Sequence, residues 1–252
     1  MNKGLFAMAA MAVLLMAGAV PLAGQTVADY ILKGDEFYAQ FDNKKALEQY
    51  QLAVQAEPGN YEALWKTSRA YFDIADLMDA KEPADLEKQR KTFTESMKYA
   101  RQAIRSNPDD TWGHFLLSAA MGMHALTQGK KQQIEMSKTI KTEIEKAIAL
   151  DPANDLAYHA LGRWHRRMAE IGGMQRFLGG MIYGSIPKGS FEESEKLFLK
   201  AIELKPDYTN HHLELGRTYL ALKKKDMAAQ EFQKCLDAPI ATSKCESYKK
   251  EA

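Results

Sequence analysis

Small residues, aromatics and prolines recur along this chain in a fixed order, and the order survives unequal spacing. Tyr30, Gly34, Phe37, Ala46, Tyr50, Ala53 and Pro58 state it once; Leu215, Gly216, Tyr219, Ala228, Phe232 and Pro239 state it again. Between them, Ala103-Ile104 precedes Asn107-Pro108, Ala147-Ile148 precedes Asp151-Pro152, and Ala201-Ile202 precedes Pro206. Proline has no N–H and restricts the residue before it, so a helix stops at each of these points. Asn60 and Asp155, just beyond, are suited to cap the next helix. Each unit is then a pair of helices that cannot bury its apolar face alone. It must stack on its neighbours, which excludes a single central core and makes chain length a count of units.

The first helices of the units begin near Val27, Tyr61, Thr111, Asp155 and Thr209, each with apolar residues at three- and four-residue spacing. Gly34, Ser68, Ser118, Gly162 and Gly216 fall at one place in their units, where a small residue lets the paired helix come close. This is the pattern of the tetratricopeptide unit of about 34 residues. The proline-to-proline intervals of 50, 44, 54 and 33 residues therefore imply insertions. They fall around Asp79 to Leu86, around Gln128 to Ile134, and over Ile171 to Ser190. The third is rich in Gly and large apolar side chains and reads as a short extra helix, with Ser190 and Glu193 forming a capping box for the helix after it. No period-two pattern occurs. The expected fold is an all-α, right-handed solenoid of about five tetratricopeptide-like hairpins with a short inserted helix in unit four. The expected divisions are 1–25, 26–241 and a tail at 242–252.

Residues 1–25 are a different material. An uncharged Ala- and Met-rich run from Leu5 to Val20 follows Lys3, and Ala17-Gly18-Ala19 offers a small-x-small cleavage site. This reads as a secretory signal, with an uncleaved membrane anchor as the alternative, and it places the protein in an exported, periplasmic setting. Cys235 and Cys245 could then join in a disulfide clasping the last helix to the tail, or Cys235 could be a buried small thiol. With 34 basic and 33 acidic residues the chain lacks the excess positive charge of a general nucleic-acid binder. No phosphate loop, nucleophile elbow or helical metal pair appears, so neither a cofactor nor a metal is expected, and the chain does not read as an enzyme.

First helices of such a solenoid line its concave side. The expected groove residues are Trp65, Arg69 and Phe72 in unit two, Trp112, Phe115 and Met123 in unit three, His159, Arg163 and Arg166 in unit four, and Leu213 and Arg217 in unit five. Aromatics supply contact area with few rotors to freeze, and arginine offers a fork for a carboxylate. Such a groove suits an acidic peptide or protein partner. The alternative reading of these residues is structural: aromatics as core, and Arg163 paired with Glu192 or Glu193. A second function class is a carrier of a lipid or small acidic amphiphile, with Phe177, Met181 and Tyr183 acting as a lid. Membrane contact is expected only if the N-terminal segment stays uncleaved.

Leu161-Gly162-Arg163-Trp164, Tyr183-Gly184, Ile186-Pro187, Phe191-Glu192-Glu193 and Phe198-Leu199-Lys200-Ala201 form a distinctive string. From roughly Asp35 to Ala241, and most closely from Leu156 onward, the chain resembles the regulator of microtubule dynamics family. The resemblance implies the helical-repeat fold, microtubule association as in animal members, and no catalytic residue to carry over. Two departures stand out: His165 occupies a place where many members have Cys, and the export-type N-terminus would keep the protein away from microtubules.

Overall fold

The computed structural model describes residues 24–252; the expected signal or anchor segment lies almost wholly outside the described residues. Twelve helices and no strand are found among the described residues. Five hairpins follow one another: α1 (Val27–Ala39) with α2 (Asn43–Ala56), α3 (Tyr61–Asp76) with α4 (Pro83–Ser106), α5 (Thr111–Leu126) with α6 (Lys130–Leu150), α7 (Asp155–Ala169) with α9 (Phe191–Leu204), and α10 (Thr209–Ala221) with α11 (Lys225–Asp237). The inserted helix α8 (Gly173–Tyr183) lies between α7 and α9, and α12 (Cys245–Glu251) closes the chain. Each hairpin packs on the next, and the first helices α3, α5, α7 and α10 also touch in sequence, which makes the concave side of a solenoid. No helix of the described residues is long and apolar enough to cross a membrane.

The five first helices start where the periodicity puts them, and their caps explain why. Asn60 accepts from the Ala63 N–H, and Asp110 from the Trp112 N–H. In unit four the cap is Asn154, accepting from Ala157, rather than Asp155. Asp155 is the first helical residue, where its charge suits the helix dipole and its carboxylate is free to meet His211. Ser190 caps α9 through the Glu192 and Glu193 N–H groups, but the reciprocal half of the expected capping box is missing, because the Glu193 side chain turns to Lys196 at 2.7 Å. The insertions in units two and three are mainly longer second helices, α4 and α6.

The small-residue position works as expected. A Cβ on Gly34 would lie 2.4 Å from the Tyr50 ring, and one on Gly216 would lie 2.4 Å from the Phe232 ring. Unit two uses Ser68 instead, whose hydroxyl donates to the Ser96 carbonyl at 2.9 Å while Ser96 donates back to the Ser68 carbonyl. The largest core cluster lies between units three and four, around Leu116, Met121, Ile144, Leu161 and Trp164.

Two ties recur that the repeat pattern did not reveal. His114 sits between Glu143 (2.6 Å) and the Pro108 carbonyl (3.2 Å); His212 sits between Glu231 (2.7 Å) and the Pro206 carbonyl (2.7 Å). In both units an imidazole six residues after the proline fastens the inter-unit turn to the second helix. The signal was present as Pro-x5-His, twice.

The cysteines are not joined. Cys235 is a buried packing residue of α11, and Cys245 is buried with its sulfur accepting from Thr209 at 3.3 Å and from the Thr242 N–H at 3.3 Å. Burial pushes the Cys235 thiol up; at Cys245 burial does the same, but the hydrogen bonds outweigh it and lower the thiol. The segment expected to be a tail instead carries α12, packed against α10 and α11.

Candidate functional site

The first helices put one stripe each onto the concave side. On α3 the stripe is Arg69, Phe72, Asp73 and Asp76, at i, i+3, i+4 and i+7. On α5 it is Trp112, Phe115, Ala119, Gly122, Met123 and Leu126, and on α7 it is Leu156, His159, Ala160, Arg163 and Arg167. Together with part of α6 and the C-terminal segment they enclose a cavity of about 960 Å³. Its lining is mixed: Phe72, Trp112, Phe115, Met123, Ile134 and Trp164 supply apolar surface, and Tyr38, Arg69, Asp73, Asp76, Tyr208, Asn210, Lys244 and Tyr248 supply polar groups. Phe41 stands at the lip, 44% exposed, with φ at 62°, a left-handed conformation unusual for a bulky residue.

Of the residues expected to face the groove, Arg69, Phe72, Trp112, Phe115, Met123, His159 and Arg163 do so. Trp65 does not line the cavity: it stacks behind Trp112 with ring centroids 4.9 Å apart, and so backs the wall. Leu213 is fully buried in the core. Arg166 and Arg217 are not free forks either. Arg166, Arg163 (3.8 Å) and Arg217 (2.8 Å) converge on one carboxylate, Glu214, which is 2% exposed. Burial alone would raise Glu214, but the Arg163, Arg166 and Arg217 guanidinium groups outweigh it and hold the carboxyl at about 2. Arg217 also pairs with Glu251 on α12, and Arg166 with Glu170 at 2.7 Å. The expected partner of Arg163 across the insertion, Glu192 or Glu193, is thus replaced by Glu214 on the next unit. Sequence spacing placed the arginines on the right helices but could not see the acid between them.

His159 is packed rather than reactive. Its Nδ1 lies 2.9 Å from Nδ1 of His211, and His211 Nε2 lies 3.0 Å from Asp155. Burial pushes His159 well below its ordinary value and lowers His211 as well, so a neutral pair fits the site.

The lid residues separate by helical phase. Gln175, Gly179, Tyr183 and then Ile186 face the cavity, whereas Phe177 and Met181 lie two residues off that stripe and are 65% and 66% exposed. Of the three expected lid side chains, Tyr183 lines the hollow and the other two point to solvent. Arg176 holds the insertion in place by donating to the carbonyls of Met168 (2.5 Å), Ile171 (3.0 Å) and Pro187.

Asp73, Asp76, Tyr208, Lys244 and Tyr248 were missed by sequence reading. Burial is the main reason Asp73 is raised to about 7, with the Arg69 charge and the Tyr38 hydrogen bond opposing it. Its Oδ2 has no hydrogen-bond partner, and neither does Arg69 Nε or Asn210 Oδ1. The Asp73 and Asp76 stripe was legible as i+4 and i+7 from Arg69; Lys244 and Tyr248 come from a segment distant in sequence.

The family model described as regulator of microtubule dynamics protein 1-3 matches residues 30–252. Regulator of microtubule dynamics protein 1 of Mus musculus is 30% identical over 236 residues, 93% of this chain and 75% of that protein. Regulator of microtubule dynamics protein 3 of Xenopus laevis is 25% identical over 182 residues, 72% of this chain but 38% of that longer protein. Among solved structures, a thermophilic TPR protein of Thermus thermophilus aligns with a TM-score of 0.66 at 14% identity, over 90% of this chain and 98% of that one. That likeness carries the solenoid fold.

Proposed function

The chain belongs to the regulator of microtubule dynamics family, and we propose that it is a non-enzymatic binding scaffold that holds an amphipathic segment of a protein partner in its concave cavity. The carrying observation is the cavity itself: about 960 Å³, lined by aromatic and apolar side chains together with polar ones, and walled by the first helices. Stacked, half-buried aromatics such as Trp112 backed by Trp65 present rigid contact area at low entropic cost. An acidic partner clamped by Arg163, Arg166 and Arg217, the reading from sequence, is not favoured, because Glu214, Glu170 and Glu251 already pair with them.

A second reading keeps the same cavity but fills it with a small amphiphile, its chain against Phe72, Phe115 and Trp164. The preponderance of apolar side chains in the wall favours it. Both readings need the hollow empty. Gly122 lines it, lies within α5, and has open space where a Cβ would be. Gly122→Trp fills the hollow while relieving a mid-helix glycine. Capture from the protein's own cells, with mass spectrometry of proteins and lipids, is expected to lose its partner with this variant and keep it with Phe177→Ser. A partner that stays bound to Gly122→Trp excludes the cavity as its site.

A further inference from the structure

The last twelve residues have a chemistry unlike that of the hairpins. Between Ala241 and Ala252 there is one large ring, Tyr248, and one buried thiol, Cys245; the rest is small, polar or charged. Apolar burial therefore contributes little to holding this segment in place. Its ties are polar: Arg217 to Glu251, Lys249 Nζ to the Leu236 carbonyl at 2.7 Å, and Lys244 Nζ to Asp76 Oδ2 at 2.5 Å. The last of these crosses the hollow, joining the end of the chain to α3 in the second unit. Ala241 to Lys244 and Tyr248 line the same cavity as α3 does.

The wall they face is rich in acceptors. Asp73 and Asp76 supply carboxylates and Asn210 a carboxamide oxygen; Asp73 Oδ2 and Asn210 Oδ1 are buried with nothing donating to them. Tyr248 lies in the field of Tyr208, Asp76, Arg163 and Asp73. Asp76 takes the Lys244 ammonium, and the two open acceptors suit a further donor, although Arg69 and Arg163 line the same cavity. Lys244 and Tyr248 are four residues apart and present an ammonium and a hydroxyl from one face of a turn.

We propose that the Asp73 and Asp76 wall of the cavity is a binding site for a short segment carrying a lysine four residues before a tyrosine, and that the chain's own Lys244 and Tyr248 occupy it in the free protein. A partner segment of the same chemistry enters by exchange, at an effective-concentration disadvantage that the tethered tail imposes. Access to the hollow is thereby set by the tail. The inference rests on the cavity being the binding site, but its test needs no foreign partner.

The probe is a labelled synthetic peptide of residues 241–252, added to the full chain under reducing conditions and followed by fluorescence anisotropy. Amide exchange of residues 241–252 is measured in parallel. Lys244→Glu is expected to raise tail exchange at least tenfold and to bind the peptide at least tenfold more tightly than the unaltered chain does. Asp76→Lys is expected to release the tail yet bind no peptide, and Asp76→Lys combined with Lys244→Glu is expected to restore slow tail exchange. Unchanged tail exchange in Lys244→Glu, or a freed tail with no gain in peptide binding, overturns the proposal. So does loss of helical signal in Lys244→Glu, because an exchangeable occupant leaves without unfolding the units. Any of these failures leaves the Gly122→Trp result standing, since that variant fills the hollow from α5 and does not touch Asp76 or the tail.

Discussion

Glu214→Gln is the substitution whose effect follows most directly from the geometry. Glu214 on α10 takes Arg163 and Arg166 from the preceding unit and Arg217 from its own helix, all in a buried setting. Its carboxyl is held at about 2 against an ordinary 4.5; at about 1.4 kcal/mol per unit that depression is worth roughly 3 kcal/mol. The sign is that of a lowered acid: the folded state binds the proton less tightly than the unfolded chain. The stabilisation is therefore complete above about pH 4.5 and is lost as pH falls toward 2. Glutamine removes the charge and leaves three guanidinium groups together, so the loss at pH 7 is expected to be about 3 kcal/mol or somewhat more. Urea unfolding followed by circular dichroism, at pH 7, 5 and 3, checks this. The gap between the two proteins should persist to pH 5 and shrink to roughly 1–2 kcal/mol at pH 3. A gap below about 0.5 kcal/mol at pH 7, or one that does not narrow in acid, refutes the claim that these arginines are structural.

Three further outcomes are expected. Gly216→Ala places a methyl 2.4 Å from the Phe232 ring and should cost about 1–3 kcal/mol by overpacking; an unchanged melting temperature would mean that the α10–α11 hairpin can open without penalty. Phe177→Ser with Met181→Ser should change stability by less than about 1 kcal/mol in all, because both side chains stand in solvent; a larger loss by thermal melting would put them inside a lid. Asp73 is raised to about 7, so the fold favours its protonated form and its ionisation costs stability as pH rises from about 4 to 7. Asp73→Asn should therefore gain on the order of 1–4 kcal/mol at pH 8 relative to the unaltered chain, and a gain that is no larger at pH 8 than at pH 5 would contradict the assignment.

The framework was legible because proline, caps and small residues act locally. Pro58, Pro108, Pro152 and Pro206 end helices whatever surrounds them, and the starts at Val27, Tyr61, Thr111, Asp155 and Thr209 coincide with helix starts in the structure. The groove was legible in part, because helical phase puts Arg69, Phe72, Trp112 and Phe115 on one side. Phase alone could not show that Glu214 takes the arginines, since that meeting depends on how unit four stacks on unit five. It also could not show that α8 turns Phe177 and Met181 outward, because the apolar content of that helix gives no clear inward stripe. The contribution of Lys244 and Tyr248 to the hollow depends on the curvature of the whole solenoid. No local pattern encodes a contact between α3 and Lys244, just ahead of α12.

Hydroxyl-radical footprinting of the protein with and without a captured partner tests the concave site directly. Met123 and Trp112 line the hollow, while Met174 and Met181 stand exposed on α8 and serve as internal references. Occupancy of the cavity predicts strong protection of Met123 and Trp112 with no change in oxidation of Met174 and Met181. Protection confined to the α8 methionines, with Met123 and Trp112 oxidised as in the free protein, would place the partner outside the hollow and contradict the account.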